Sequence, residues 1–146
     1  NIDIGGPAML RAAAKNHARV AVVVDPADYP RVLAALAAGG TDDVLRRELA
    51  AKTYAHTARY DGMIATWLGA RHDPAAPEPH APTLHLSFER GTTLRYGENP
   101  HQSGALYVEA GAPAGCAATA EVLAGKALSF NNIADADAAL ECVKLF

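Results

Sequence analysis

The N-terminal run Asn1-Ile2-Asp3-Ile4-Gly5-Gly6 leads into a proline, with Arg11 and Lys15 following. Paired glycines ahead of a helix let backbone amides approach a ligand with no Cβ in the way, and the helix N-terminus favours an anion. Asp3 could accept a proton or orient an amine, and Lys15 could stabilise an oxyanion. On spacing alone the plainer reading, a capped helix with solvated Arg11 and Lys15, outweighs the chemical one.

A denser cluster follows at Leu94-Arg95-Tyr96-Gly97-Glu98-Asn99-Pro100-His101-Gln102. It holds a guanidinium, a phenol, a carboxylate, an imidazole and two side-chain amides, with Gly97 and Pro100 shaping the backbone. Arginine offers a planar fork suited to phosphate, and tyrosine both stacks and hydrogen-bonds. A structural turn stands level with a binding loop here. In Gly125-Lys126-Ala127-Leu128-Ser129-Phe130-Asn131-Asn132 the glycine pattern of a P-loop or dinucleotide fingerprint is missing. Its adjacent asparagines fit a helix cap better than a grip on a ligand amide.

The elements that would position these groups are readable from periodicity. Gly5-Gly6-Pro7 announces a helix, with Met9, Leu10, Ala13, Ala14 and His17 at helical spacing. Residues 19–24 form a β-branched apolar run that predicts a strand buried on both faces. Residues 26–38 predict a second helix, closed by Gly39-Gly40. Thr41-Asp42-Asp43 caps a third, running to Trp67-Leu68 with a possible break. Its stripe of Tyr60, Met63, Ile64, Trp67 and Leu68 predicts core or subunit-interface packing. Residues 71–82 carry four prolines among small and polar groups, a linker signature. Residues 83–88 and 105–109 alternate as strands, and residues 133–146 read as a helix opened by Asn131-Asn132. This order predicts α/β layering with a parallel sheet.

The chain has 146 residues, with 13 basic and 16 acidic side chains and a formal net charge of −3. No basic stripe argues for nucleic acid, and no apolar stretch is long enough to span a membrane. Cys116 and Cys142 stand far apart, which predicts reduced thiols in place of a disulfide framework or structural zinc. The spacing of His72, His80 and His85 matches no standard metal site, and no metal is expected. No signal peptide opens the sequence, and both ends read as internal to a longer protein.

In this order, NIDIGGPAMLRAAAKNHARVAVVV, LRYGENPHQ and GKALSFNNIADADAALECVKLF resemble the bifunctional purine-biosynthesis family. That family joins 5-aminoimidazole-4-carboxamide ribonucleotide (AICAR) formyltransferase to inosine monophosphate (IMP) cyclohydrolase. The resemblance extends over residues 1–146 and is weakest across the Pro-rich bridge. It implies an α/β chain: the end of a methylglyoxal-synthase-like parallel-sheet domain (1–69), a linker (70–82) and the start of a cytidine-deaminase-like transferase region (83–146). It implies formyl transfer from 10-formyltetrahydrofolate to AICAR, then dehydrative closure of formyl-AICAR to IMP, in a cytoplasmic homodimer that binds neither nucleic acid nor membrane.

By the same resemblance Asp3 and Lys15 serve ring closure, and Ile4, Gly5 and Gly6 line its substrate site. Arg95 and Tyr96 reach across the dimer to hold AICAR, with His101 and Asn131 as supports. The family's Lys-His pair for formyl transfer has no counterpart here. The cyclohydrolase's phosphate-binding loops and its remaining lysine and tyrosine are also missing, and folate-binding elements are expected beyond Phe146. Alone, this chain is expected to be inactive. A different class of reading is a small α/β module that binds a phosphorylated metabolite or serves oligomerisation.

Overall fold

In the computed structural model the described residues are 1–73, 75–76 and 79–146. They divide into two compact units, Asn1–Leu86 and Ser87–Phe146. Pro74 and Pro77 of the Pro-rich bridge lie outside the described residues.

In the first unit, α1 (Gly5–Lys15) carries Pro7 in its first turn, where the missing N–H costs nothing. The Asp25 carboxylate accepts the Ala27 N–H at 2.9 Å and starts a 3₁₀ turn, Pro26–Asp28, that runs into α2 (Tyr29–Ala37). Gly39 and Gly40, at φ of 108° and 135°, end α2 in a conformation that other residues rarely adopt. Asp42 then caps α3 (Asp43–Gly69), accepting the Leu45 N–H at 2.7 Å. At 1.5 Å per residue α3 is roughly 40 Å long, and it runs without a break.

The core is small. Ala14, Val22 and Ala50 form its centre, with Leu10 and Ala13 packed against them. The inward line of α3 is Leu45, Leu49, Thr53 and Thr57, spaced four apart. The buried threonines are satisfied internally: the Thr53 hydroxyl donates to the Leu49 carbonyl at 2.8 Å and that of Thr57 to the Tyr54 carbonyl at 3.2 Å. Lys52 ties α3 to the 3₁₀ turn, with Nζ 2.6 Å from Asp25 and 2.7 Å from Asp28. Arg46 Nε donates to the His17 carbonyl at 3.0 Å and holds the turn after α1.

One expectation is corrected in this unit. Residues 19–24 form no strand, although Val22 is buried. A strand exists by pairing its backbone groups with a neighbour, and the described residues offer this segment none. The sheet formed by the described residues is antiparallel and lies in the second unit. Of the stripe at the end of α3, Met63 is 58% exposed, Trp67 56% and Leu68 46%, so these three lie outside the unit's own core.

In the second unit, β1 (Phe88–Thr93) pairs antiparallel with β2 (Ala105–Glu109), from Phe88↔Glu109 to Thr93↔Ala105. The register shifts between Arg90 and Thr92, so Gly91 is the extra residue of a bulge. β2 has its expected bounds. β1 begins where residues 83–88 were expected to finish, because its ladder partner reaches only to Phe88. A second 3₁₀ turn (Ala117–Thr119) precedes α4 (Phe130–Val143). That helix opens on a reciprocal cap: Ser129 Oγ accepts the Asn132 N–H at 3.3 Å, and Asn132 Oδ1 accepts the Ser129 N–H at 3.1 Å. Both units mix helix with irregular chain and the second adds a small sheet, a mixed α/β composition.

Candidate functional site

Asp3 stands just ahead of α1 and is held at two points. Its N–H donates to the Tyr60 hydroxyl of α3 at 2.8 Å, and its Oδ1 accepts the Gly6 N–H at 3.3 Å. The carboxylate lies over the glycine: a Cβ on Gly6 would be 2.4 Å from Asp3 Oδ2, whereas one on Gly5 would meet nothing within 4 Å. Ile4 is 73% exposed, and its carbonyl accepts the Ala8 N–H at 3.1 Å to start the helix. Asp3, Ile4, Gly5 and Gly6 thus form one accessible rim around a helix N-terminus, a place suited to an anionic or carbonyl-bearing ligand.

Lys15 is not brought to that rim. It occupies the last turn of α1, and the helix between puts it roughly 16 Å from Ile4 at 1.5 Å per residue. A ligand touching both Asp3 and Lys15 has to lie along the helix. Arg11 is committed elsewhere, with its guanidinium 5.4 Å from the centre of the Tyr54 ring while the Tyr54 hydroxyl donates to the Arg11 carbonyl at 3.3 Å.

In the second unit Arg95 and Tyr96 leave the end of β1 in a fixed backbone. The Arg95 N–H donates to the Leu128 carbonyl at 2.7 Å, and the Phe130 N–H donates to the Tyr96 carbonyl at 3.2 Å. The segment ahead of α4 therefore grips both residues by main-chain bonds. Their side chains pair with each other: the guanidinium lies 4.9 Å from the Tyr96 ring centre, and Arg95 Nη2 is 3.4 Å from the phenol oxygen. Stacking fixes the plane of the fork while leaving its outer N–H groups for a ligand.

The following loop closes on itself. The Gly97 N–H donates to the Gln102 carbonyl at 2.8 Å, and Gln102 Oε1 accepts the Asn99 N–H at 2.8 Å. A Cβ on Gly104 would sit 3.2 Å from the Gly97 Cα, so this crossing depends on glycine. Asn131, in the first turn of α4, donates from Nδ2 to the Glu98 carbonyl at 3.2 Å. Leu94, Gly97, Glu98, Gln102, Gly104 and Phe130 line an open depression of ≈ 540 Å³ beside this loop. Arg95, Tyr96 and Asn131 are thus gathered around one loop, and His101 stands exposed on it. Asn131's amide N–H is already engaged with protein, which suits a positioning part.

The structure adds roles for three further residues of these sites. Tyr60 falls in the packing stripe of α3, and nothing local links it to a residue 57 positions away. Gln102 belongs to the cluster picked out from the sequence, but its hold on the Asn99 N–H comes from the geometry of the turn. Ser129, followed by Asn132 at the capping-box interval, was the findable one. Among the described residues no group of three or more His, Cys, Asp or Glu side chains is placed to hold a metal ion, and no helix is long and apolar enough to cross a membrane. Cys116 and Cys142 are both free thiols.

The family model of the AICARFT/IMPCHase bienzyme matches residues 13–146, which takes in Lys15, Arg95, Tyr96, His101 and Asn131. The chain belongs to this family. The bifunctional purine biosynthesis protein PurH of Sorangium cellulosum (strain So ce56) is 56% identical over 154 aligned residues, covering 100% of this chain and so Asp3, Ile4, Gly5 and Gly6 as well. The chain spans 30% of that relative's length. Membership of the bienzyme family gives the two separate clusters, one in each unit, a common context.

Proposed function

We propose that this chain belongs to an enzyme catalysing the last two steps of de novo IMP synthesis and carries part of each active site. In the first step the 5-amino nitrogen of AICAR attacks the formyl carbon of 10-formyltetrahydrofolate, giving formyl-AICAR and tetrahydrofolate. In the second the carboxamide nitrogen attacks the new formyl carbonyl, and water leaves to give IMP. The observation that carries this reading is the 56% identity of the whole chain to a bifunctional purine biosynthesis protein.

Ring closure is assigned to the Asp3 rim. Asp3 orients or deprotonates the attacking carboxamide nitrogen, while Ile4, Gly5 and Gly6 offer backbone groups to the substrate. Lys15, a helix length away, acts on a different part of the bound nucleotide as an electrostatic anchor. Arg95 and Tyr96 hold AICAR from the neighbouring subunit of a homodimer, the guanidinium fork taking its phosphate. His101 and Asn131 support that loop. The Lys-His pair that drives formyl transfer, and the elements binding the folate donor, lie in other parts of the protein.

In this reading residues 1–69 end a methylglyoxal-synthase-like domain, 70–82 link, and 83–146 begin a cytidine-deaminase-like transferase region. The enzyme works in the cytoplasm. Assay of the full-length protein tests the function: AICAR with 10-formyltetrahydrofolate should yield IMP, and formyl-AICAR alone should also yield it. Failure of both conversions would overturn the proposal.

A further inference from the structure

We propose that Tyr60 is a positioning residue of the ring-closing site, acting through the backbone of Asp3; the inference rests on the reading of Asp3 given above. The Asp3 N–H precedes α1 and has no intrahelical acceptor, and the Tyr60 hydroxyl takes it at 2.8 Å. The carboxylate of the same residue accepts the Gly6 N–H. Asp3 is thereby fixed by its main chain on one side and its side chain on the other. Loss of the phenol oxygen frees the main-chain anchor, and the carboxylate turns with it. A displacement of about 1 Å at a reacting group can cost up to a hundredfold in rate.

Packing alone does not require this hydroxyl. Tyr54 joins the same two helices, donating to the Arg11 carbonyl at 3.3 Å two turns along α1. The two phenols therefore provide a matched pair: both stitch α1 to α3, and only Tyr60 touches the segment that holds Asp3. Neither Tyr54 nor Arg11 has a part in the proposed chemistry.

The test compares Tyr60→Phe with Tyr54→Phe in the full-length enzyme, each losing a single oxygen. Tyr60→Phe is expected to lower kcat for cyclisation of formyl-AICAR by about tenfold, the scale of one hydrogen bond's net worth. KM for formyl-AICAR and formyl transfer to AICAR should stay within about twofold. Tyr54→Phe is expected to leave cyclisation unchanged while lowering the melting temperature about as much as Tyr60→Phe does, since each loses one hydrogen bond between the same two helices. Equal losses of cyclisation in the two variants, or none in Tyr60→Phe, would overturn the positioning role. Asp3→Asn separates the levels: if it cyclises normally, the assignment of Asp3 itself falls, whereas an inactive Asp3→Asn beside a fully active Tyr60→Phe removes only Tyr60.

Discussion

The Asp3 carboxylate lies against Gly6 so closely that a single added methyl would stand 2.4 Å from Oδ2. The requirement is spatial, since Gly6 is not among the glycines with positive φ. Gly6→Ala should therefore push the carboxylate aside and lower cyclisation about tenfold to a hundredfold, although alanine favours the helix itself by roughly 0.5–1 kcal/mol. Steady-state cyclisation kinetics beside a thermal melt check it, and the expected pattern is lost activity with unimpaired stability. Gly5→Ala meets no protein atom, so any effect there reports on ligand contact.

The cap at the start of α4 is a second testable joint. Ser129 is 1% exposed, exchanges bonds with Asn132, and is flanked by the two residues whose backbones grip Arg95 and Tyr96. Ser129→Ala should cost about 1 kcal/mol of stability and raise KM for AICAR. Urea denaturation of the full-length protein with AICAR kinetics measures both. An unchanged KM would uncouple the cap from the loop.

Asn131→Asp keeps the shape of the side chain and replaces the Nδ2 donor by an oxygen facing the Glu98 carbonyl. Two acceptors then oppose each other. Weaker AICAR binding by about tenfold is expected, with cyclisation intact. Isothermal titration of AICAR into the variant gives the answer directly.

The Lys52 triad gives the first unit a pH signature. Hydrogen bonding to Lys52, aided by the Ala27 N–H, holds the Asp25 carboxyl below its ordinary 3.8, and Asp25 and Asp28 hold Lys52 above its ordinary 10.5. A lowered acid stabilises the fold above the unfolded value and loses that contribution as pH falls through the folded one. A raised amine stabilises below 10.5 and loses it as pH rises past its folded value. Lys52→Met should thus flatten melting temperature against pH at both extremes. The effect is small and fades in high salt, because all three groups are partly exposed.

What the sequence made legible follows local chemistry. The cap at Asp42, the glycine stop after α2, and the bounds of β2 are all decided within a few residues, and all are found where expected. The misreadings are the non-local features. Residues 19–24 have strand composition, but pairing needs a neighbour that composition does not specify. β1 was displaced toward Phe88 because Leu84, Leu86 and Phe88 alternate, whereas register is set by β2 and by the bulge at Gly91. Tyr60 sits at packing intervals with Met63 and Ile64, so its bond to Asp3 was hidden by 57 residues of separation. Within the binding loop the chemistry-bearing residues were visible, while the division between Arg95 facing outward and Gln102 holding the turn needed coordinates.

The central claim is that Asp3 and Arg95 serve two different reactions of one protein. The most direct measurement assays both reactions in Asp3→Asn and Arg95→Lys variants of the full-length enzyme. Asp3→Asn should abolish most cyclisation while AICAR formylation continues. Arg95→Lys keeps the charge but loses the fork, so AICAR binding should weaken about tenfold with cyclisation of supplied formyl-AICAR spared. The reverse selectivity, or both activities falling together in each variant, would contradict the account.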